Sequence, residues 1–239
     1  MHPSTGLMDI GREALSRALI EKPALTLRWF SFGLLLQKQT EHGLVEYAVS
    51  PEEVATALAR TVVFDSGLLD LNTLCVRSEG AKRTVAGSRP RQKTSLWLEG
   101  SQDALHVPLP GLVLIRTTTA DRDPDYQVYA VAERPTSYEA ELFHAPLPNV
   151  YGSGGICWGT VTKVEADRLQ GNDLSADWAQ LLATPFGNHS VGGKCQSHRD
   201  DVRKLYLELE RRKARVYPQK ELVPARKTLG GALGVRDER

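Results

Sequence analysis

Short β-strand patterns that follow one another between residues 71 and 144 constrain the fold of this chain more than any other feature. Each pattern is a stretch of apolar, β-branched or aromatic residues bounded by turn-forming residues. The basic stretch 79–93, which contains Gly, Ser and Pro, is expected to be an exposed loop or hairpin tip, and residues 121–125 form a predicted turn. This succession predicts an antiparallel meander. Its strands are predicted at residues 71–77, 94–98, 111–117, 127–132 and 138–144.

The clearest helix start in the sequence is Ser50-Pro51-Glu52-Glu53. Ser50 can cap free backbone amides, Pro51 suits the first helical position, and Glu53 completes a capping box. Apolar residues at helical spacing extend this helix to about residue 60 and predict later helices at 173–184 and 200–215. The predicted class is therefore α+β, an antiparallel meander sheet with flanking helices.

Three more strands are predicted ahead of that helix, at 24–29, 33–39 and 44–49, and a leading helix at 7–22. We expect residues 1–49 to form an N-terminal extension whose strands pack on the core. Residues 50–215 would form the main domain. Residues 216–239, with two prolines and several glycines, are expected to be an extended basic tail.

Charge and cysteine content limit the compartment in which the chain works. The 239 residues carry a formal net charge of +1, and no apolar run approaches the roughly 20 residues that a membrane helix needs. The first residues lack the basic-then-apolar layout of a secretory signal. Three cysteines argue against a disulfide framework. We therefore expect a cytoplasmic protein with no membrane partner.

The C-terminal region is basic, because residues 199–239 hold 12 Lys/Arg and 7 Asp/Glu. Contact with nucleic acid or with an acidic protein is one interpretation, and a solvated helix with a loose terminus is the other. The sequence offers neither a recognition helix nor an aromatic and basic platform. Nucleic acid is therefore not the expected partner.

The segment 147–159 differs from the rest of the chain, because a predicted last strand runs into a proline, a glycine-rich turn and then Cys157. Glycine lets the backbone adopt positive φ, so the cysteine can be exposed as a nucleophile must be. Asn149 lies eight residues earlier. Its amide can donate to the oxyanion that forms when an amine attacks a thioester. A buried structural cysteine and a turn asparagine are the alternatives.

This segment resembles the active-site signature of ubiquitin-conjugating enzymes. That signature is His-Pro-Asn, an aliphatic residue, a short glycine-containing turn, an aliphatic residue and the catalytic cysteine. The chain offers Pro148-Asn149-Val150-Tyr151, then Gly154, Ile156 and Cys157. The resemblance implies a ubiquitin-conjugating-enzyme-like core with an N-terminal strand extension.

Within that superfamily the chain resembles the bacterial branch, in particular prokaryotic ubiquitin-conjugating-like family D. It is most similar to the protein B family of PRTRC cassettes, which occur largely on plasmids and other mobile elements. The resemblance covers most of residues 24–230. The stretches that carry it are Val107-Pro108-Leu109-Pro110-Gly111-Leu112-Val113, Ala145-Pro146-Leu147-Pro148-Asn149-Val150, Ile156-Cys157-Trp158-Gly159, Tyr217-Pro218 and Leu222-Val223-Pro224.

The resemblance implies that Cys157 receives a small ubiquitin-like protein as a thioester from a ThiF-like activating enzyme and passes it to an amine. Asn149 would stabilise the oxyanion. Pro148, Tyr151 and Trp158 are the expected binding residues, and Trp158 either shields the thioester or packs on the following helix. A metal-dependent deconjugating protease is a further implied partner. No metal or cofactor is required, and the sequence has no phosphate loop or dinucleotide fingerprint.

Two positions depart from the family signature. Leu147 stands where the family has its histidine, and Trp158-Gly159 stand where an aliphatic residue and an acid usually follow the cysteine. The histidine mainly supports the loop, whereas the acid helps to activate the substrate lysine. A catalytically inactive conjugating-fold adaptor of a plasmid or mobile-element cassette is therefore the alternative function.

Two further sets of residues are candidate sites in the sequence. His189, Cys195 and His198 are close in sequence, but no standard zinc spacing matches and no fourth ligand is evident. We expect instead a polar loop at 187–197 that folds over the active segment. Cys75 lies in a predicted strand and is expected in the core.

Overall fold

The structure is a computed structural model that describes residues 25–31, 33–61, 66, 68–79, 82–119, 122–159 and 171–235. The chain forms two compact units, residues 1–65 and residues 66–239. The predicted leading helix at 7–22 lies outside the described residues. None of the helices that the structure describes is long and apolar enough to span a bilayer.

Among its described residues, the first unit contains a three-stranded antiparallel sheet and a helix. Strands β1 (Leu25–Phe30), β2 (Gly33–Thr40) and β3 (Gly43–Val49) pair in sequence order, and α1 (Pro51–Thr61) follows. The Glu53 amide donates to Ser50 Oγ at 3.1 Å, and the Ser50 amide donates to Glu53 Oε2 at 2.8 Å. These reciprocal bonds confirm the predicted capping box, and α1 falls in this unit together with the strands.

The second unit is built on a six-stranded antiparallel sheet with the order β11-β10-β9-β8-β5-β4 and a separate hairpin, β6-β7. Most sheet neighbours are also neighbours in sequence, which confirms the predicted antiparallel α+β arrangement. The strands are β4 (Thr73–Glu79), β5 (Lys82–Arg89), β6 (Gln92–Leu96), β7 (Leu105–Leu109), β8 (Gly111–Thr119), β9 (Arg122–Val131), β10 (Glu141–His144) and β11 (Pro224–Thr228).

In the part of this unit that the structure describes, three helices and one 3-10 turn accompany the strands. They are α2 (Ser175–Ala183), α3 (Val202–Arg211), the 3-10 turn Gln219–Glu221 and α4 (Leu229–Leu233). Helix α3 begins where the Asp201 carboxylate accepts from the Arg203 amide at 2.9 Å. Its buried side chains recur at helical spacing, as the sequence predicted. They are Val202, Leu205, Tyr206 and Leu209.

Successive residues of a strand point to opposite faces of a sheet. Both faces of the large sheet are covered, because alternate strand residues belong to two different core clusters. Leu112, Leu114 and Val128 belong to a core cluster that includes the buried side chains of α2 and α3. Val113 and Ile115 belong to a second cluster that includes Leu229 and Leu233 of α4. The sheet is therefore the central layer of the unit.

Three sequence predictions about this unit were wrong. Residues 79–93 are not one exposed loop, because β5 is an interior strand whose Val85 and Ala86 are buried. The small and polar residues of β5 lack the apolar alternation that is typical of a strand, and neighbouring strands supply the apolar contacts. Residues 122–125, predicted as a turn, belong to β9.

The third wrong prediction was that residues 216–239 form an extended tail. Tyr217 is buried, β11 pairs with β10, and α4 packs on the second core cluster. Pro224 is tolerated as the first residue of a strand at the edge of the sheet. The basic residues of the tail therefore alternate with residues that complete the fold.

Candidate functional site

Cys157 is held directly opposite Asn149 by a short hairpin-like loop, which we call the Asn149–Cys157 loop. The Cys157 amide donates to the Asn149 carbonyl at 2.7 Å, and the Tyr151 amide donates to the Gly155 carbonyl at 2.8 Å. Between these two bonds, Val150 and Ile156 form an antiparallel bridge. The backbone thus fixes the spacing that the sequence motif only suggested.

Gly154 anchors the tip of this loop to the central sheet. Its carbonyl accepts from the Val128 amide at 2.8 Å, and its φ is +90°. A Cβ at this position would lie 2.6 Å from the Tyr129 hydroxyl oxygen, and that hydroxyl donates to the Ser153 carbonyl. Only glycine fits this conformation and this close approach.

Asn149 is itself in the left-handed region, with φ of 60°. Its amide N–H donates to the His189 carbonyl at 2.8 Å, and its side-chain Nδ2 donates to the Pro185 carbonyl at 3.4 Å. Leu147 and Pro148, just before it, are buried. The Asn149 backbone is therefore tightly held, whereas its side chain makes one long hydrogen bond.

Cys157 is half-buried. Its side chain raises the pKa of the exposed Tyr151 phenol, first through hydrogen bonding and then through charge, so the two side chains are neighbours. The phenol therefore stays protonated and can donate to the sulfur.

The other two cysteines have different surroundings. Burial raises the pKa of the Cys75 thiol in β4 and of the Cys195 thiol. Cys195 is 0% exposed and its sulfur donates to the His198 carbonyl at 3.2 Å. Cys75 is half-buried within a strand, in partial agreement with its expected place in the core. Cys157 differs from Cys195 in being half-buried beside the exposed Tyr151 side chain.

Trp158 packs on the protein. Its ring lies 5.2 Å from that of Tyr126, edge to face, and the Tyr126 hydroxyl donates to Asp177 of α2 at 2.6 Å. Asp177 also pairs with Arg116 of β8 at 2.8 Å, and both of these side chains are 1% exposed. Of the two roles predicted for Trp158, these contacts support packing towards the following helix.

The segment 185–194 supports the loop, and most of its residues were missed by sequence reasoning. His189 packs edge to face on Tyr151, with ring centroids 5.4 Å apart. Ser190 and Lys194 both donate to the Val150 carbonyl. A polar loop folding over the active segment was predicted, but nothing local marks which side chains make the contacts.

Glu99 was also missed, because it is distant in sequence. Its amide donates to the Phe186 carbonyl at 3.0 Å, which brings it beside Gly187. A Cβ on Gly187 would lie 2.8 Å from Glu99 Oε2 and 3.7 Å from Asn149 Oδ1. A carboxylate therefore lies near the Asn149 amide.

His189, Cys195 and His198 do not converge. His189 faces Tyr151, whereas His198 Nε2 lies 3.1 Å from Glu208 Oε2 of α3. Across the described ranges, no group of three or more His, Cys, Asp or Glu side chains is placed to hold a metal ion.

Comparison with known protein families gives a match. The family model described as Prokaryotic E2 family D matches residues 52–225, from within α1 to within β11. Searches of curated proteins and of solved structures returned no significant match. The match confirms the resemblance to the prokaryotic ubiquitin-conjugating-like family, and it includes the Asn149–Cys157 loop. Because it covers well over half of the sequence, this chain belongs to Prokaryotic E2 family D.

Proposed function

We propose that this chain is a ubiquitin-conjugating-like carrier. Cys157 receives the C-terminal carboxyl group of a small ubiquitin-like protein from a ThiF-like activating enzyme and then passes it to an amine. The observation that carries the proposal is a half-buried thiol in a loop whose backbone pairs Cys157 with Asn149, with the Tyr151 phenol as a neighbour. Membership of the E2 family supports a conjugating-enzyme-like role.

The loading step is a thioester exchange. The Cys157 thiolate attacks the thioester carbonyl that joins the modifier to the activating enzyme, and a tetrahedral oxyanion forms. A new C–S bond to Cys157 then replaces the old one, and the thiolate of the activating enzyme leaves. We assign the neighbouring Tyr151 hydroxyl to donate to the Cys157 sulfur before the attack. Neither a metal nor an organic cofactor takes part in this exchange.

The transfer step needs an oxyanion donor and an acceptor for a proton. The amine attacks the Cys157 thioester, a C–N bond forms and the C–S bond breaks. The Asn149 amide would stabilise the oxyanion by exchanging its 3.4 Å bond to the Pro185 carbonyl, which lies at the long end of the hydrogen-bond range. We assign Glu99, beside Asn149, to attract the incoming ammonium and accept its proton. It would replace the acid that is absent at Gly159.

The proposal is tested by charging the full chain with ATP, a ThiF-like enzyme and the ubiquitin-like protein of the same organism. We expect an adduct that reducing agent removes, that is lost in Cys157→Ala and that persists in the matched Cys195→Ala variant. Asn149→Ala should charge but discharge to free lysine about 10²–10³-fold more slowly. An adduct that persists in Cys157→Ala would contradict the proposal.

A non-catalytic adaptor is the second candidate, and two observations favour it. Leu147, where the family has its histidine, is fully buried in the apolar core. Gly159, where an acid is usual, is exposed with φ of 56° and carries no side chain. An adaptor would bind its partners equally well after Cys157→Ala and would form no thioester under any charging condition. Membership of a PRTRC cassette, a plasmid origin and a partner protease remain predictions for either function.

A further inference from the structure

The Val150 carbonyl, immediately after Asn149, accepts hydrogen bonds from two side chains of one neighbouring segment. Ser190 Oγ donates to it at 2.7 Å, and Lys194 Nζ donates to it as well. Two donors on one carbonyl oxygen fix the orientation of the peptide group that joins Val150 to Tyr151. That peptide group lies between the two residues assigned to the chemistry of Cys157.

Both sides of this contact hold a strained backbone. Asn149 and Ser190 are non-glycine residues in the left-handed region, with φ of 60° and 53°. Such conformations persist only where surrounding contacts impose them, and they cluster at functional sites. The bond from the Asn149 amide to the His189 carbonyl joins the two strained turns directly. The loop is therefore kept in place by the 189–194 segment.

Lys194 is an unusual choice for such a contact, because it is only 2% exposed and forms no ion pair with any residue that the structure describes. The charge of Lys194 acts on His144 of β10. Burial, and then the Lys194 charge, lower the pKa of His144. Burial lowers the pKa of Lys194 itself to about 8. A buried charge without a carboxylate is unfavourable to stability, so its contact with the loop needs a different explanation.

We propose that Lys194 is a positioning residue whose charged ammonium group holds the Asn149–Cys157 loop in the conformation that presents the thiol, and whose deprotonation loosens the loop. The catalytic consequence of this inference rests on the proposed function, whereas the contact itself does not. Charge-assisted hydrogen bonds are roughly twice as strong as neutral ones. Loss of the proton therefore weakens the Lys194 bond and leaves the Val150 carbonyl with two neutral donors.

Hydrogen exchange of the full-length chain tests the contact, with Lys194→Met as the variant. Met fills a similar volume but has neither charge nor donor. The matched control is Lys204→Met, which removes an exposed lysine of α3 that pairs with Asp200. In Lys194→Met we expect the Tyr151 and Cys157 amides to exchange about tenfold faster, as for a lost charge-assisted bond, with β8 and β9 unchanged. Unchanged exchange at both amides in a folded Lys194→Met protein would overturn the proposal.

The pH dependence separates a charged positioning group from simple packing. The alkylation rate of Cys157 by iodoacetamide, followed on its own peptide by mass spectrometry, is measured from about pH 6.5 to about pH 9.5. Dividing the Lys194→Met rate by the Lys204→Met rate cancels ionisation of the thiol. We expect a ratio well above one at the low end of this pH range and a smaller ratio at the high end, where Lys194 of the control is also neutral. A ratio that does not change with pH would overturn the proposal.

Two further comparisons separate the role of the Lys194 charge from simple loss of a donor, and the positioning role from the carrier function. Ser190→Ala removes the neutral donor from the same carbonyl and should accelerate exchange less than Lys194→Met does, and the reverse order would contradict the role of the charge. It also provides a test if Lys194→Met fails to fold. If Lys194→Met loosens the loop but the wild type forms no thioester, the positioning role stands and the carrier function fails. If the wild type forms the thioester and Lys194→Met leaves the exchange of the loop amides unaltered, the carrier function stands and the positioning role fails.

Discussion

The loop that presents Cys157 and the core that encloses Cys195 hold their cysteines in different ways. The loop is shaped by hydrogen bonds between backbone groups and by left-handed residues, and its thiol stays half-buried. The core around Cys195 is built from the apolar faces of α3 and the sheet, and its thiol is fully buried. The comparison teaches that stability and reactivity are supplied by separate regions, so substitutions should separate them.

The largest expected effect lies in the core. Arg116→Met leaves the Asp177 carboxylate buried without its cation, so the free energy of unfolding should fall by about 3–5 kcal/mol in urea titration. The matched control is Arg77→Met, which breaks the more exposed pair with Glu79 and should cost less than about 1 kcal/mol. A double variant with Asp177→Leu should recover much of the loss. Equal losses in Arg116→Met and Arg77→Met would contradict the buried pairing.

The next effect is expected at the tip of the loop. Gly154→Ala combines a strained positive φ with a clash against Tyr129, so it should lower the free energy of unfolding by about 2–4 kcal/mol. Gly152→Ala is the control, because a Cβ there meets nothing within 4 Å, and it should change stability by less than about 0.5 kcal/mol. Chemical denaturation measures both. If the two variants are equally stable, Gly154 does not anchor the loop.

Much of this arrangement could be predicted from local sequence patterns. The Ser50–Glu53 capping box, the apolar spacing in α3 and the Asn149-to-Cys157 spacing all lie within a few residues, and each was found in the expected place. Strand β5 was missed because its sequence, Lys-Arg-Thr-Val-Ala-Gly-Ser-Arg, has no apolar alternation and is defined by its partners. The tail was missed because its prolines and charges hide the buried Leu229 and Leu233.

The supporting residues of the site could not be predicted for a related reason. Glu99 and Lys194 approach Asn149 and Val150 only after the chain has folded. No spacing rule joins positions that lie in different elements. The sequence left two roles for Trp158, because its packing partner, Tyr126, belongs to a strand that is distant in sequence.

A smaller difference is expected between the two cysteines themselves. Cys195→Ser places a hydroxyl in the apolar core and should lower the free energy of unfolding by about 1–3 kcal/mol. Cys157→Ser, in the half-buried loop, should change it by no more than about 0.5 kcal/mol. Iodoacetamide should modify Cys157 before Cys75 and Cys195 in the native protein, as read by peptide mass spectrometry. Faster modification of Cys195 would reverse the comparison between loop and core.

A further effect concerns the pH dependence of stability. The pKa of Lys194 is about 8 in the folded protein and 10.5 when exposed, so the unfolded chain binds more protons between these values. Stability from this group is therefore lowest below pH 8 and rises towards pH 10.5, by about 1 kcal/mol per pH unit. Lys194→Met should be more stable than the wild type at neutral pH, and the difference should shrink over that range. A difference that stays constant with pH, in parallel urea titrations, would contradict this assignment.

The most direct test of the central claim is to locate the acyl group on the charged wild-type protein. After a single round of charging with the activating enzyme and the ubiquitin-like protein, non-reducing digestion and mass spectrometry identify the modified peptide. We predict a thioester on the peptide that contains Cys157, and none on those that contain Cys75 or Cys195. A modifier attached at either of the other two cysteines, or no thioester on any of them, would contradict the assignment of Cys157 as the carrier.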